Sequence, residues 1–194
     1  MRKLRTNGAD GFGAQPLKHS AHSAQPSECA SAPLRSKNPL IHNFTTHLVP
    51  TFGHISSYRP GDLFENRLAL SLARMHRPPR AGVSGTQLDG ADSIVLAGAY
   101  EDDAFDEHEI IYSGSGGRDP RTGRQVTNQE MTGRNLVLRR SQETGRPVRV
   151  LHKVRHEGRE QLRYEGLFRV TKHYFAQGKA GFRVLKFHLV PFTT

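Results

Sequence analysis

The fold of this chain is most constrained by a series of short apolar runs, separated by glycine-rich turns, that begins near residue 48. Apolar and polar residues alternate at Pro147–Val154, Phe168–Val170 and Leu185–Leu189, and Leu68–Leu72 has a leucine at every second position. Two further apolar runs are Ser93–Gly98 and Glu109–Tyr112. Alternation with a period of two is typical of strands with one buried face. We therefore expect a strand at each run.

One segment has helical spacing instead. Asn128–Arg140 places Met131 and Leu136–Leu138 on an apolar side. Glycine clusters at residues 82–90, 114–117 and 178–181 mark turns between the strands. The whole pattern predicts an α+β, β-rich domain, built on a curled sheet or open barrel with one or two helices.

The first 47 residues differ in composition from the rest. They are poor in aliphatic residues and rich in Ser, Ala, Gly, Pro, Asn and His. Such a segment buries too little apolar area to offset its chain entropy. We expect a disordered tail over residues 1–47 and a folded domain over residues 48–194. The scattered histidines of the tail lack Cys or carboxylate partners, so we expect no metal site.

The charge distribution indicates a polyanionic partner. The formal net charge is +10, and residues 118–194 carry seventeen basic and six acidic side chains. No run approaches the roughly 20 apolar residues of a membrane span, and Cys29 is the single cysteine. These features exclude a disulfide scaffold and favour an intracellular, nucleic-acid-binding protein without a membrane partner. We expect it in the cytoplasm, or at the nucleoid if the host is bacterial.

The most specific signal is a set of motifs that occur in order between residues 51 and 192. They are Thr51–His54, His76–Gly85 (HRPPRAGVSG), Gly90–Asp103 (ending in VLAGAYEDD), Tyr112–Asp119 (YSGSGGRD), Gly145–Val150 and Tyr164–Gly166. This set closely resembles the SRA domain (SET- and RING-associated, also called YDG). Glu165 stands where the family has the Asp of the Tyr-Asp-Gly that names it. The resemblance implies a PUA-like fold of the compact microbial SRA type.

The resemblance also implies a reader of modified cytosine that flips the base out of duplex DNA. Tyr100 and Tyr112 match the two aromatic walls of the family's base pocket, which replace the lost stacking neighbours. Asp103 matches the carboxylate that accepts from the exocyclic amino group. Main-chain N–H groups near Ala99 and Ser113 are expected donors to the other edge. Taken singly, each tyrosine is typical of a core residue and Asp103 of a solvated turn, so the pocket rests on the resemblance.

The 5-methyl or 5-hydroxymethyl group of such a base needs a small recess. Ser113 and Gly114 carry little side-chain volume, so the main chain can approach the ring closely. Burial of one methyl group gains only about 0.8 kcal/mol, which predicts a modest, roughly fourfold preference for methylated cytosine. Arg118 and the Gly114–Gly117 turn are expected to hold a flanking phosphate. Four other acidic residues of this stretch are expected to be solvated turn residues: Asp102, Asp106, Glu107 and Glu109.

The chain departs from the family pattern at several positions. Arg80 replaces a small apolar residue and could fill the space left by the flipped base, donate to the orphaned guanine or hold a phosphate. Ala99 replaces a Gly, and Ser113 a Thr. The loop after Asp119 is shorter than in animal relatives, so a preference for hemimethylated CpG does not carry over. Arg121 and Arg124 in this loop are expected DNA contacts.

No catalytic motif is recognisable in the sequence, and we expect neither a cofactor nor an enzyme. Three hypotheses remain. The first is a non-enzymatic reader of modified cytosine in double-stranded DNA. The second is part of a modification-dependent restriction endonuclease, of HNH type, whose cleavage site is unrecognised here or lies on a partner nuclease. The third is general nucleic-acid binding by basic charge.

Overall fold

The computed structural model describes residues 49–98, 100–106 and 108–193. The expected tail, residues 1–47 with their histidines, lies outside the described residues. The strands are β1 (Leu63–Phe64), β2 (Val83–Thr86), β3 (Gly90–Leu96), β4 (Ala104–Phe105), β5 (Ile110–Ser113), β6 (Val148–His156), β7 (Arg159–Gln177) and β8 (Arg183–Pro191). The helices are α1 (Arg67–Leu72) and α2 (Arg134–Thr144).

The eight strands form one open sheet. Its order is β2-β3-β6-β7-β8-β5-β4, and β1 pairs with β7 outside this path. The β3–β6 pair is parallel, whereas the other pairs are antiparallel. The ends of the path, β2 and β4, do not pair with each other, so the sheet is not closed. This confirms the predicted β-rich, open architecture with two helices among the described residues.

The centre of the sheet is buried on both faces. Every residue of β3 is buried. Ile94 and Leu96 pack into one apolar cluster with Leu138 of α2, whereas Val95 packs into a second cluster with Leu70 of α1. Since successive side chains of a strand point to opposite faces, the two helices cover opposite sides of this strand. A strand of this kind reads as a continuous apolar run, which explains the Ser93–Gly98 pattern.

Leu68–Leu72 was expected to be a strand, and this prediction is wrong. Asn66 caps a short helix there, because its side-chain oxygen accepts from the Ala69 N–H at 3.0 Å. Leu70 is buried, whereas Leu68 and Leu72 are 62% and 78% exposed. Residues four apart share a face of a helix. The alternating leucines therefore reflect one buried contact and two exposed side chains rather than a strand face.

The predicted helix at Asn128–Arg140 exists but is shifted along the chain. It begins at Arg134, after Gly133 at φ +52°, and ends at Thr144, where Gly145 adopts the left-handed conformation and donates to the Ser141 carbonyl. A Gly at this position is the usual stop for a helix. Residues 128–133 form a loop that delivers Gln129 into the interior, where it has no exposed surface.

A buried polar network anchors the loop that leads to β2. His76 is fully buried; its Nδ1 lies 2.9 Å from the Ser93 hydroxyl and its Nε2 lies 2.9 Å from the Ala81 carbonyl. Arg149, 1% exposed, donates to the Met75 and Gly53 carbonyls and lies beside Asp92. Because buried polar groups stabilise a fold only when they are hydrogen-bonded, this network fixes both ends of residues 76–81.

Candidate nucleic-acid interface

Tyr100 and Asp103 lie on the turn that joins β3 to β4. The Asp103 N–H donates to the Tyr100 carbonyl at 3.2 Å, which closes the turn. Tyr100 is half-buried and lines a cavity of about 560 Å³. The other described residues around this cavity are Gly98, Glu101, Asp102, Arg118, Thr122, Gly123, Arg124, Gln125, Lys179 and Ala180. The third predicted residue of this turn, Ala99, lies outside the described residues.

The Asp103 carboxylate is held against β5. Its Oδ1 accepts from the Ser113 N–H at 2.8 Å, and the Ser113 hydroxyl is a second partner. Burial raises the pKa of Asp103, while the Ser113 hydrogen bonds and the charge of Lys186 act in the opposite direction. The carboxylate is therefore positioned by main chain. The Ser113 N–H was expected to donate to the flipped base. Because it already donates to Asp103, it is not available to a base in this conformation.

Tyr112 is a core residue as well as a neighbour of this site. It is 5% exposed and belongs to the larger apolar cluster. Its burial raises its pKa, and the nearby charges of Asp103 and Tyr100 add to the shift. Its hydroxyl lies against Gly82, where a Cβ would come within 2.6 Å. Tyr112 does not line the cavity at Tyr100, so the pairing of two tyrosine walls around one base stays a prediction.

The main-chain N–H and carbonyl groups of Gly114 and Ser115 all have hydrogen-bond partners inside the protein. The Gly114 N–H donates to the Leu185 carbonyl at 2.8 Å, and the Gly114 carbonyl accepts from Gln129 at 2.8 Å. The Ser115 N–H and carbonyl both bond to the Asn135 amide, at 2.8 and 2.9 Å. These N–H groups are thus occupied inside the protein. The expectation that they help to hold a phosphate is wrong for Gly114 and Ser115.

Arg118 and Arg124 contribute positive charge to the cavity at Tyr100. The Arg118 guanidinium lies over the Tyr100 ring, with Cζ 4.5 Å from the centroid, and its Nε donates to the Gly123 carbonyl. Cation–π contacts of this kind contribute about 0.5–2 kcal/mol. Arg124 is exposed at the cavity edge, and Lys179 lies on the opposite loop. Sequence reasoning missed Lys179, since a lone lysine in a glycine-rich turn carries no pattern.

Arg80 and Arg121 are exposed and lie outside this cavity. Arg80 follows Pro79 in the loop that His76 anchors. Arg121 lies in a turn that Asp119 caps, because the Asp119 carboxylate accepts from the Arg121 and Thr122 N–H groups at 2.7 and 2.9 Å. Both guanidiniums therefore project from ordered turns toward solvent.

Asp102 is not the solvated turn residue that we expected. Its side chain is 14% exposed, its Oδ1 accepts from the Lys179 N–H at 3.1 Å, and the ammonium of Lys186 lies 3.5 Å away. Lys186 also donates to the Asp102 carbonyl and to the Ser113 hydroxyl. This lysine joins the acidic turn to β5, the strand that carries Ser113. The burial of Lys186 could not be predicted from the sequence, since alternation along β8 predicts an outward side chain at this position.

Comparison with known proteins identifies the family. A model described as the SAD/SRA domain matches residues 51–193. The chain belongs to the SRA family. This confirms the resemblance inferred from the motifs. Among its relatives is the histone-lysine N-methyltransferase family member SUVH2 of Arabidopsis thaliana. The two are 34% identical over an alignment of 174 residues that covers 84% of this chain and 26% of that protein.

Other SRA proteins resemble it to a similar extent. The E3 ubiquitin-protein ligase UHRF1 of Danio rerio is 34% identical over 73% of this chain and 22% of its own length. This SRA chain thus spans about a quarter of the length of these curated relatives.

Solved structures of SRA proteins share the fold. A modification-dependent restriction endonuclease, TagI, is 41% identical with a TM-score of 0.68, over 75% of this chain and 53% of that one. The SUVH5 SRA domain bound to fully methylated CG DNA is 30% identical with a TM-score of 0.64, over 74% of this chain and 96% of that one. The same domain has been solved with fully hydroxymethylated CG DNA.

Two further observations concern the described part of this SRA chain. Residues 49–98, 100–106 and 108–193 contain no cluster of three His, Cys, Asp or Glu side chains placed to hold a metal ion. The same residues form no helix with the length and apolarity that crossing a bilayer requires.

Proposed function

We propose that this SRA domain binds duplex DNA, flips a modified cytosine out of the helix and binds it beside Tyr100 and Asp103, without catalysing a reaction. The modified base is 5-methyl- or 5-hydroxymethylcytosine. The observation that carries the proposal is the Asp103 carboxylate, fixed against the Ser113 N–H on the turn that carries Tyr100. We propose that it acts in the cytoplasm, or at the nucleoid if the host is bacterial.

The chemistry of Asp103 suits cytosine. An ionised carboxylate only accepts hydrogen bonds, and the exocyclic amino group of cytosine donates them. Thymine presents a carbonyl oxygen at the same position, which a carboxylate repels. One oxygen of Asp103 is held by main chain at 2.8 Å, so the side chain is positioned before a base arrives. We propose the main-chain N–H groups of Ala99 and Glu101 as donors to the opposite edge of the base.

Stacking supplies the remaining affinity for the flipped base. An aromatic side chain stacked on a base contributes about 1–3 kcal/mol, comparable to the cost of unstacking it. One face of Tyr100 already carries Arg118. We propose that the base uses the other face, with Tyr112, Ser113 and Gly114 completing the pocket. Arg118 then keeps its place and contacts the adjacent phosphate.

The exposed arginines complete the proposed interface. Arg121 and Arg124 lie in the ordered loop after Asp119 and are placed to contact the DNA backbone. Arg80 is proposed to enter the space that the flipped base leaves, where its guanidinium could donate to guanine O6 and N7.

A binding titration tests this proposal. Three duplexes would differ only at one cytosine, which is unmodified, 5-methylated or 5-hydroxymethylated. We expect tighter binding of at least one modified duplex by severalfold, and fluorescence of 2-aminopurine next to the target base should rise as the base unstacks. Equal affinity for all three duplexes would contradict the proposal and favour general binding by basic charge.

The alternative is a role in modification-dependent cleavage. The TagI restriction endonuclease shares the fold at 41% identity, and the matched region is 53% of that chain. Cleavage would then need a nuclease site elsewhere, of HNH type or on a partner. Incubation of the purified protein with Mg²⁺ and methylated plasmid separates the two functions, because a reader shifts the DNA without cutting it.

A further inference from the structure

The Gly114–Ser115 segment lies beside the proposed base pocket and is held by two buried amide side chains that the proposed function leaves unexplained. Gln129 has no exposed surface, and Asn135 is 1% exposed. Buried amides are costly unless their donors and acceptors are satisfied. Almost all of their hydrogen-bond partners are main-chain groups of Gly114, Ser115 and the residues next to them in space. The two amides therefore hold the Gly114–Ser115 segment in place.

Gln129 joins two strands through its amide. Its Nε2 donates to the Gly114 carbonyl at 2.8 Å, and its Oε1 accepts from the Leu185 N–H at 2.9 Å. Gly114 directly follows β5, and Leu185 belongs to β8. The side chain thus continues the β5–β8 ladder past its last residue. The amide fixes the distance between Gly114 and the sheet.

Asn135 binds both main-chain groups of Ser115. Its Oδ1 accepts from the Ser115 N–H at 2.8 Å, and its Nδ2 donates to the Ser115 carbonyl at 2.9 Å and to the Glu130 carbonyl at 2.6 Å. Four main-chain groups of Gly114 and Ser115 are therefore bonded to the protein interior. Both N–H groups are used inside the protein and each carbonyl already accepts one hydrogen bond there, so we expect this segment to act on a base mainly through its shape.

The space behind the segment is filled. A Cβ on Gly114 would lie 2.8 Å from Gln129 Oε1, 2.8 Å from Leu185 Cβ and 2.9 Å from Asn135 Oδ1. The main chain cannot retreat in this direction, because both amides are held by hydrogen bonds at their far sides. A substituent that meets Gly114 from the pocket side meets a rigid surface.

We propose that Gln129 and Asn135 are positioning residues that fix the floor of the recess for the cytosine C5 substituent and restrict it to small groups. This inference rests on the proposed function. It predicts that the preference for a methyl or hydroxymethyl group over a bulky sugar-substituted group comes from the rigidity of Gly114–Ser115, and that neither amide needs to touch the DNA.

The test uses Asn135→Ala and, as a second route to the same loosening, Gln129→Met. Gln142→Ala is the matched control, because Gln142 is an amide on the same helix whose bond goes to the His173 side chain at 2.6 Å. Each protein is titrated with four duplexes whose target cytosine carries no group, methyl, hydroxymethyl or glucosyl-hydroxymethyl.

We expect the wild type and Gln142→Ala to prefer methyl over unmodified cytosine about fourfold, the factor that burial of one methyl group supplies, and to bind the glucosylated duplex at least tenfold more weakly than the methylated one. Asn135→Ala should bring the methyl preference within twofold of unity and at least halve the discrimination against the glucosyl group. Its affinity for unmodified DNA should stay within twofold of the wild type.

Hydrogen exchange should become faster at the Ser115 amide in Asn135→Ala and at the Leu185 amide in Gln129→Met, since these N–H groups lose their acceptors. Retention of both binding ratios in either variant would overturn the inference, and so would unchanged exchange at these amides. A wild type that does not distinguish the four duplexes would instead refute the proposed function. Hydrogen exchange on the wild type without DNA adds a measurement that needs no variant. The Gly114 and Ser115 amides should exchange as slowly as those of β5, and fast exchange there would overturn the inference even if both variants fail to fold.

Discussion

The half-buried Asp103 carboxylate combines a proposed role in recognition with a cost in stability. Burial is the largest influence on its pKa and raises it. The folded protein therefore holds this proton more tightly than the unfolded chain does. For such a group, the contribution to stability is present at low pH and is lost as the pH rises through the raised pKa. At neutral pH, where Asp103 is charged, its burial therefore lowers the stability of the folded protein.

Asp103→Asn should separate the two effects. The asparagine oxygen can still accept from the Ser113 N–H, so we expect a melting temperature at pH 7 equal to or above that of the wild type. The amide nitrogen would face the cytosine amino group with a second donor, and we expect the preference for 5-methylcytosine over thymine at the target position to fall at least tenfold. Melting curves and titrations with the two duplexes measure these quantities. A less stable variant with unchanged base preference would contradict the role of Asp103.

His76 should make the stability of the domain sensitive to mild acid. Burial lowers its pKa from 6.5 to about 3, so the unfolded chain takes up a proton that the folded protein refuses. The stability it contributes is present above pH 6.5 and falls as the pH drops toward 3, by up to about tenfold in the unfolding constant per pH unit.

The variant His76→Gln should flatten this dependence between pH 6.5 and 5, where carboxyl groups titrate little. Urea unfolding at three pH values in this window measures it. His156→Gln, at the exposed end of β6, serves as control and should keep the wild-type slope. An unchanged slope in His76→Gln would place the acid sensitivity elsewhere.

The family motifs, rather than residue types alone, predicted one half of the candidate site. Tyr100, Asp103 and Tyr112 were predicted from motifs that resemble the SRA family, and the fold brings them near one another beside β5. Their roles as pocket residues stay a prediction. Gln129 and Asn135 could not be predicted from the sequence. Whether an amide side chain is buried at a given position depends on which main-chain groups the fold leaves without a hydrogen-bond partner there.

Strands were predictable from alternation where one face of a strand is buried. β7 shows this alternation from Leu162 to Val170. β6 and β8 were predicted from the alternation of their residue types, although Val148–Leu151 and Val184–Phe187 are buried on both faces. The pattern failed at α1. The leucines at every second position matched a strand, but the Asn66 cap and the burial of Leu70, the one buried residue of the segment, stabilise a helix. The apolar pattern also placed the start of α2 too early. Residues 128–133 form a loop that is held by the hydrogen bonds of Gln129 to Arg183 and Gly114, and not by the packing of an apolar helix face.

The joint between β5 and the following turn should tolerate no added atom. Gly114→Ala would place a Cβ within 2.9 Å of three groups, and we expect it to destabilise the domain by about 1–3 kcal/mol, as overpacked cores do. Chemical unfolding measures this difference in free energy.

Gly158→Asn is the contrasting variant. Gly158 lies at φ +78° between β6 and β7 with no atom near its missing Cβ, and Asn tolerates this conformation better than other residues with side chains. We expect its cost to lie at the low end of the range for such a conformation, about 1 kcal/mol. Equal losses in both variants would mean that the Gly114 contacts relax freely.

The charge of the whole chain predicted the class of partner but not the place of contact. The net charge of +10 indicated a polyanion, and the family motifs narrowed it to duplex DNA. The structure adds which cations are free to meet phosphates. Arg149 is buried on carbonyls and Arg146 pairs with Asp89, whereas Arg121 and Arg124 are exposed in the loop after Asp119. Charge counted along a sequence cannot make this distinction.

If Arg121 and Arg124 contact phosphates, they should govern the salt dependence of binding. Each phosphate contact releases counterions, so its loss lowers the slope of log K against log salt by about one. We expect Arg121→Ala and Arg124→Ala each to weaken binding of modified and unmodified duplexes by the same factor and to reduce the slope accordingly, while the preference for the modified base stays unchanged. The loop should remain folded, since Asp119 holds it through main chain.

Titrations at several salt concentrations measure these slopes, with Arg139→Ala as the control. Arg139 is paired with Glu143 at 3.0 Å on the exposed side of α2, so its removal should leave the slope as it is. A variant of Arg121 or Arg124 that lost the preference for modified cytosine at an unchanged slope would assign that arginine to base recognition instead, because a contact that carries sequence or modification information acts on a base edge rather than on the uniform phosphate backbone.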